Sequence, residues 1–403
     1  MKKVFFIALV FSSYFCIADN DREKTKYFFE QIKELEFQVL DTNFSNDYSF
    51  TLWNSYYDSL NQKVYAGNYF QNQEIFRYFE CDFKTAELKS IKIPYPDSLK
   101  RPDSFIQFKW LSSGNFCLIS NRNNHLLIYS LDGKLINDIS IDFLEKENKD
   151  CIISPFENYL VNETKLYLQT SPSFYSIGDS ERKKIFNLNY GLCINLSDKI
   201  KYTPLKIKYP TKYQNNNSYY NNNYSITINN LKQIVCSFRC SDSLYVYNDK
   251  NYEFKAAFYA GSDLNPHFKP FIKGNEAKRS EVEKYALTEP YYEKILFDPY
   301  KKMYYRFYYD RLKFDKEAIK KPLISEKKQS VIILDENFNR LGEVIFGNKE
   351  MHPCSISIPT KEGLLNVCDW GPSGTHPSRR KFTLNWMRFK ENNNFSFNGH
   401  LSK

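Results

Sequence analysis

Residues 105–141 divide into four short apolar runs, FIQFKWL, NFCLISN, HLLIYS and LINDISI, joined by the tight turns SSG, RNN and LDGK. The same order of runs and turns returns at 225–260, as SITI, IVCSFRC, LYVYN and FKAAFYA. Once the pattern is known, looser copies are visible at 48–95, 151–209, 292–346 and 355–389, which makes six units. Short runs with strand-forming residues between turn residues read as antiparallel strands. A lone four-stranded sheet cannot bury both faces, so a repeat of this length requires neighbours stacked on each side.

The architecture that satisfies this requirement is an all-β, six-bladed β-propeller of four-stranded antiparallel blades, expected over residues 36–392. The sixth unit supplies only three strands, SISIPT, LLNVCDW and FTLNWMRF, which leaves EFQVLD at 36–41 to complete it as its outermost strand. Closure by an N-terminal strand joins the chain ends and removes an open sheet edge. Aromatic residues, 32 Tyr and 34 Phe among 403 residues, must fill much of the core, and a composition 42% hydrophobic and 26% charged excludes a disordered or collagenous chain.

The segments ILFDPYKKMYYRFYYD at 295–310, SVIILDENFNRLGEVIF at 330–346 and HLLIYSLDGKLINDISI at 125–141 resemble exported bacterial six-bladed β-propeller proteins, most closely domain of unknown function family 4221. The resemblance covers nearly the whole mature chain, and Tyr-Tyr-Arg-Phe is its most specific segment. It implies a propeller, commonly a lipoprotein, and no known catalytic residues.

Residues 1–18 read as a secretory signal: Met1-Lys2-Lys3, an apolar run from Val4 to Ile17, then Ala18 before Asp19. The run is too short to span a bilayer core of ~30 Å. Two processing outcomes stay open, lipid attachment at Cys16 or soluble release after Ala18, and Phe15 before Cys16 departs from the usual lipidation pattern. Both put the protein outside the inner membrane, in the periplasm or at the outer membrane and cell surface. Residues 19–35 read as a polar stalk and 393–403 as a tail. The other eight cysteines sit singly in apolar strands, which favours buried thiols over disulfides. Cys236 and Cys240 lie ~13 Å apart along one strand and cannot bridge each other.

In a propeller blade, second-to-third connections and blade-to-blade links leave from one face, so insertions there identify the working side. The second-to-third insertions from 172, 311 and 371 carry thirteen basic side chains, including Lys320, Lys321, Arg379 and Arg380, against five acidic ones. Most of the formal charge of +9 is therefore gathered on one expected face, suited to an anionic glycan, lipid headgroup or acidic envelope protein. Nucleic acid is not the expected partner, since the rest of the excess is spread along the chain. Asp369 and Trp370 open the last insertion, which contains His376, so an acid, an indole and an imidazole could meet there. Along 303–310, strand alternation puts Tyr304, Arg306, Tyr308 and Asp310 on one face. Arg306 is then buried between blades and tied to carboxylates or carbonyls, with a ligand-facing place near the axis as the alternative.

No nucleophile elbow, phosphate-binding loop, dinucleotide fingerprint or His-Glu-x-x-His motif is present. The histidines lack metal-ligand spacing. A monomeric, noncatalytic, exported propeller that binds a partner or ligand is the leading reading, with no cofactor and a membrane connection only through a lipid anchor. The rival is a metal-assisted hydrolase or lyase using the central funnel, with calcium held by Asn54, Asp298 and Asp369.

Overall fold

The computed structural model describes residues 27–38, 55–70, 75–84, 87–94, 106–111, 114–120, 125–140, 151–153, 160–162, 164–172, 186–197, 201–215, 223–264, 267–269, 279–312, 327–346, 358–368 and 381–391. The first strand, β1, is Tyr27–Gln38. A first sheet follows in the order β2 (Ser55–Asp58), β3 (Lys63–Phe70), β4 (Ile75–Asp82) and β5 (Glu87–Pro94). The second is β6 (Ile106–Trp110), β7 (Asn115–Ser120), β8 (His125–Ser130) and β9 (Leu135–Ser140).

Cys151–Ile153 (β10) stands apart from the next sheet, which begins with β11 (Leu160–Asn162) and β12 (Lys165–Leu168). After β13 (Thr170–Pro172), which pairs with β10, β14 (Tyr190–Asn195) and β15 (Lys201–Ile207) complete this third sheet as β11-β12-β14-β15. A short helix, α1 (Thr211–Asn215), leads to the fourth sheet: β16 (Tyr224–Ile228), β17 (Ile234–Phe238), β18 (Ser243–Tyr247) and β19 (Phe254–Tyr259). Helix α2 (Arg279–Thr288) precedes the fifth: β20 (Tyr291–Asp298), β21 (Met303–Tyr309), β22 (Gln329–Asp335) and β23 (Arg340–Phe346). The sixth takes β24 (Ile358–Pro359), β25 (Leu364–Cys368) and β26 (Lys381–Glu391), and β1 pairs with β26 as its outer strand. Every pairing among these strands is antiparallel.

Three strand expectations are corrected. The N-terminal strand starts at Tyr27 rather than Glu36, so the expected stalk is strand from Tyr27 onward; its ladder to β26 runs from Tyr27↔Glu391 to Gln38↔Lys381. Cross-strand pairing overrides the weak local preference of so polar a segment. The first sheet opens at Ser55, while 48–54 lies outside the described residues. In the third unit, β11 takes the place expected for Cys151–Ile153, which form a two-stranded sheet with β13. Pro155, which has no N–H for a ladder, lies two residues beyond Ile153.

Each sheet packs on the next. Tyr65 of β3 meets Trp110 of β6 at 4.8 Å between ring centroids. Cys117, Ile119, Leu126 and Ile128 of the second sheet cluster with Leu166, Leu168, Leu192 and Ile194 of the third. Tyr190 and Ile207 of the third face Tyr224, Ile226 and Phe238 of the fourth. β21 is buried along almost its whole length because both its faces are covered: Tyr304 and Tyr308 join Val235 and Leu244 of the fourth sheet, while Tyr305 and Phe307 join Phe29, Leu364 and Met387 of the sixth. The sixth sheet reaches the first through Trp386, whose indole meets the Phe83 ring edge-on at 4.8 Å.

The first strands of the fourth and fifth sheets share a direction. Ile295 and Phe297 of β20 donate backbone N–H bonds to Ser225 Oγ (3.2 Å) and Thr227 Oγ1 (3.1 Å) of β16, so β16 and β20 run parallel. The Tyr57 phenol of the first sheet is pushed up by burial and by the nearby Glu362 carboxylate of the sixth, with Tyr300 of the fifth contributing. The antiparallel strand order puts the first-to-second turn of each four-stranded sheet at one end. The long connections leave from the other: 310–328 and 369–380 within sheets, 208–223 and 260–290 between them.

Cys193 and Cys236 are buried free thiols, and burial pushes both pKa values up. Among the described residues, no helix is long and apolar enough to cross a membrane.

Candidate functional site at the long-connection end

At the end where the insertions are rooted, the fourth and fifth sheets are stitched together by buried charge. Arg306, in the middle of β21, is 0% exposed. Its Nε donates to Ser237 Oγ (2.9 Å), Nη1 to the Ala260 carbonyl (2.8 Å) and Nη2 to the Ser241 carbonyl, and the guanidinium carbon lies 3.5 Å from the Tyr292 ring centroid. Burial pulls its pKa down, while Tyr292 and Asp242 oppose that change. A buried guanidinium is tolerated where its fork is bonded and its face stacked, as here. Tyr292 extends the network: its hydroxyl donates to Asp242 Oδ1 at 2.8 Å and accepts from the Ser262 N–H at 3.0 Å.

A second knot sits at the start of β20 and β22. Lys327, also 0% exposed, donates from Nζ to the Glu289 carbonyl at 2.5 Å and lies 4.8 Å from the Tyr291 ring centroid. Burial lowers its pKa to about 7, against the partial restoring effect of Glu289 and Asp310. Arg239, one residue past β17, reaches the same ring at 5.2 Å and holds Glu293 through both carboxylate oxygens at 3.0 and 2.9 Å. Tyr309 stacks on Tyr291 at 4.9 Å with 16° between planes. Tyr291 is thus enclosed by a lysine, an arginine and a second ring, an arrangement that fixes where the strand ends stand.

The connections are tied to this framework by their backbone. The Lys269 N–H donates to Glu289 Oε2 (3.1 Å), Arg311 Nη2 to the His267 carbonyl (2.8 Å) and the Asp310 N–H to the Lys328 carbonyl (2.8 Å). Lys212 of α1 lies 4.8 Å from the Phe268 ring centroid, and burial lowers its pKa. The result is a floor of mixed charge at the strand ends, Arg239 and Lys212 beside Glu289, Glu293, Asp242 and Asp310.

Of the residues singled out from sequence, Arg306 is placed in the packing between the fourth and fifth sheets, with protein acceptors for its donors and no exposed surface. Cys16, Lys320, Lys321, Asp369, Trp370, His376, Arg379 and Arg380 lie outside the described residues, as does Asn54. Asp298 closes β20 at the opposite, short-turn end. Its Oδ1 accepts the Tyr300 and Lys301 N–H groups at 2.9 and 3.0 Å, its Oδ2 is buried without a hydrogen-bond partner, and burial raises its pKa. Among the described residues, no group of three His, Cys, Asp or Glu side chains is placed to hold a metal. Sequence reasoning missed Arg239, Glu289, Tyr291 and Glu293, and counted Lys327 among solvated loop bases. The available signal was Glu-Pro-Tyr-Tyr-Glu at 289–293, two carboxylates flanking rings at the mouth of an inner strand.

No curated protein of known function matches the chain. Among solved structures, it is similar to a member of the DUF4221 family from Bacteroides vulgatus, at 19% identity and a TM-score of 0.67, over 91% of this chain and 99% of that one. A virginiamycin B lyase from Staphylococcus aureus aligns at 9% identity and a TM-score of 0.37, over 79% of this chain and 74% of the lyase. Regucalcin, a calcium-binding protein from Agrobacterium tumefaciens, aligns at 10% and 0.42, over 87% and 92%. The all-β fold, with antiparallel four-stranded sheets packed one on the next, is propeller-like. The family model for a domain of unknown function, DUF4221, matches residues 102–345, and the chain belongs to that family.

Proposed function

We propose that the chain is an exported, closed six-bladed propeller that captures an anionic ligand or an acidic partner at its long-connection end, without catalysis. Closure is supported by the contact of Trp386 with Phe83, which brings the last sheet onto the first, and by β1 completing the last sheet. Export is supported by the charged start, short apolar run and polar exit of residues 1–18.

One observation carries the binding reading. The three second-to-third insertions carry twelve basic side chains besides the buried Lys327, against five acidic ones, and are rooted at the end where buried Arg306 and Lys327 brace the strand ends. A basic surface held over a rigid base attracts anions without losing affinity to ordering of its supports. Replacing Lys320, Lys321, Arg379 and Arg380 together by Glu should lower the salt concentration that elutes the protein from an immobilised sulfated polysaccharide. Unchanged elution overturns the electrostatic part of the proposal.

A further inference from the structure

The short-turn end carries the same device three times. Asp58, Asn229 and Asp298 each end an inner strand and accept backbone N–H bonds from the following turn through Oδ1: from Leu60 (3.0 Å) and Asn61 (3.1 Å), from Leu231 (3.1 Å) and Gln233 (3.0 Å), and from Tyr300 (2.9 Å) and Lys301 (3.0 Å). Each turn then passes through a left-handed residue, Gln62 (φ 57°), Lys232 (φ 61°) or Lys302 (φ 53°), before the second strand begins. Such side-chain-capped turns are held in one conformation. Each presents its apolar residue outward: Leu60 is 89% exposed, Leu231 71% and Tyr300 40%.

These loops hold two leucines almost wholly in water and leave the Tyr300 ring partly exposed. Lys232, Lys301 and Lys302 stand exposed beside the tips, with Lys302 Nζ 3.6 Å from Glu336. Apolar tips, two of the three flanked by lysines, match the layering of a bilayer surface, where hydrocarbon begins just below anionic headgroups and tyrosine settles between them. The course of the chain points the same way. β26 runs from Lys381 at the long-connection end to Glu391 at the short-turn end, and Tyr27 pairs with Glu391, so β1 enters from the short-turn end. Ten residues, 17–26, separate Cys16 from Tyr27, an extended reach of at most ~40 Å.

We propose that the short-turn end docks on a phospholipid surface, with Leu60, Leu231 and Tyr300 entering its interfacial layer and the long-connection end turned away. The proposal rests on the export and ring arrangement proposed above and is independent of what the opposite end binds.

The test uses the full chain with vesicles of phosphatidylethanolamine and phosphatidylglycerol that contain brominated acyl chains. Tryptophan placed by Leu60→Trp or Leu231→Trp should shift to the blue and be quenched on vesicle addition, whereas Lys328→Trp at the opposite end should not respond. Combined Leu60→Ser, Leu231→Ser and Tyr300→Ser should lower vesicle partitioning by at least about tenfold. Quenching at 328 but not at 60 and 231, no quenching at any position, or unchanged partitioning of the triple variant overturns the proposal. So does a blue-shifted tryptophan at 60 or 231 before vesicles are added, because the tips would then be covered by the chain itself. Sulfated-polysaccharide elution of the triple variant reports separately on the other end, and should be unaltered.

Discussion

The two ends of the sheets are built by different means. At the short-turn end, each connection is fixed by a side chain two to four residues away, as when Asn229 Oδ1 holds both Leu231 and Gln233. At the long-connection end, order comes from groups far apart in the chain: Arg306 is bonded to residues 69, 46 and 65 positions away. Local capping makes an end that survives the loss of any one contact, because each turn stands alone. A shared buried network makes an end that is rigid only while all its members are present. Loops on the second kind of base can be long without being loosely rooted, which suits a binding face.

Breaking the network should produce the largest effect. Arg306→Met leaves Ser237 Oγ and the Ala260 and Ser241 carbonyls without their donors and removes the stack on Tyr292. Denaturant unfolding should register a loss of about 3–5 kcal/mol. Arg306→Lys should recover little of it, since one ammonium cannot reach three acceptors set for a planar fork. A loss below about 1 kcal/mol would mean that the network does not hold the end together.

Lys327 sharpens the comparison through pH. Its folded pKa is lowered to about 7 from an ordinary 10.5, so between those values the unfolded chain binds more protons than the folded one. Stability should therefore rise with pH through that window, by at most about 1.4 kcal/mol per pH unit for the one group. Buried cysteines and tyrosines with raised pKa act in the opposite sense at the alkaline side, so the informative quantity is wild type minus Lys327→Met. That difference should slope upward from about pH 7 and flatten below it. A flat difference throughout would show that the amine is not buried as described.

The smallest effect is expected at the short-turn tips. Leu60→Ser and Leu231→Ser remove exposed side chains and leave the capping bonds in place, so thermal unfolding should stay within about 0.5 kcal/mol of wild type. A large loss would show that the tips pack against the protein rather than project from it.

The same contrast explains what could be read from sequence. Residues 105–141 and 225–260 fall into strands close to where their turn residues divide them, because a hairpin is specified locally. The sixth sheet was legible as three strands lacking a partner, but not the nine further residues by which β1 extends to Tyr27, since those depend on β26 across the whole chain. Alternation along 303–310 put Arg306 between sheets, yet nothing near it in sequence named Ser237, Ala260 or Ser241 as its partners. Lys327 reads as a loop base beside Lys328, and only the fold brings Tyr291 and Glu289 over it. The chemistry of the insertions carries no such local code, and Lys320, Lys321, Asp369, Trp370, His376, Arg379 and Arg380 lie outside the described residues.

The claim on which the ring and both of its ends depend is that the sixth sheet packs on the first. A double-mutant cycle on Phe83 and Trp386, each replaced by Leu singly and together, measures that joint directly. Rings 4.8 Å apart and edge-on should couple by about 1 kcal/mol, while a coupling indistinguishable from zero would mean that the two sheets do not meet and the ring is open.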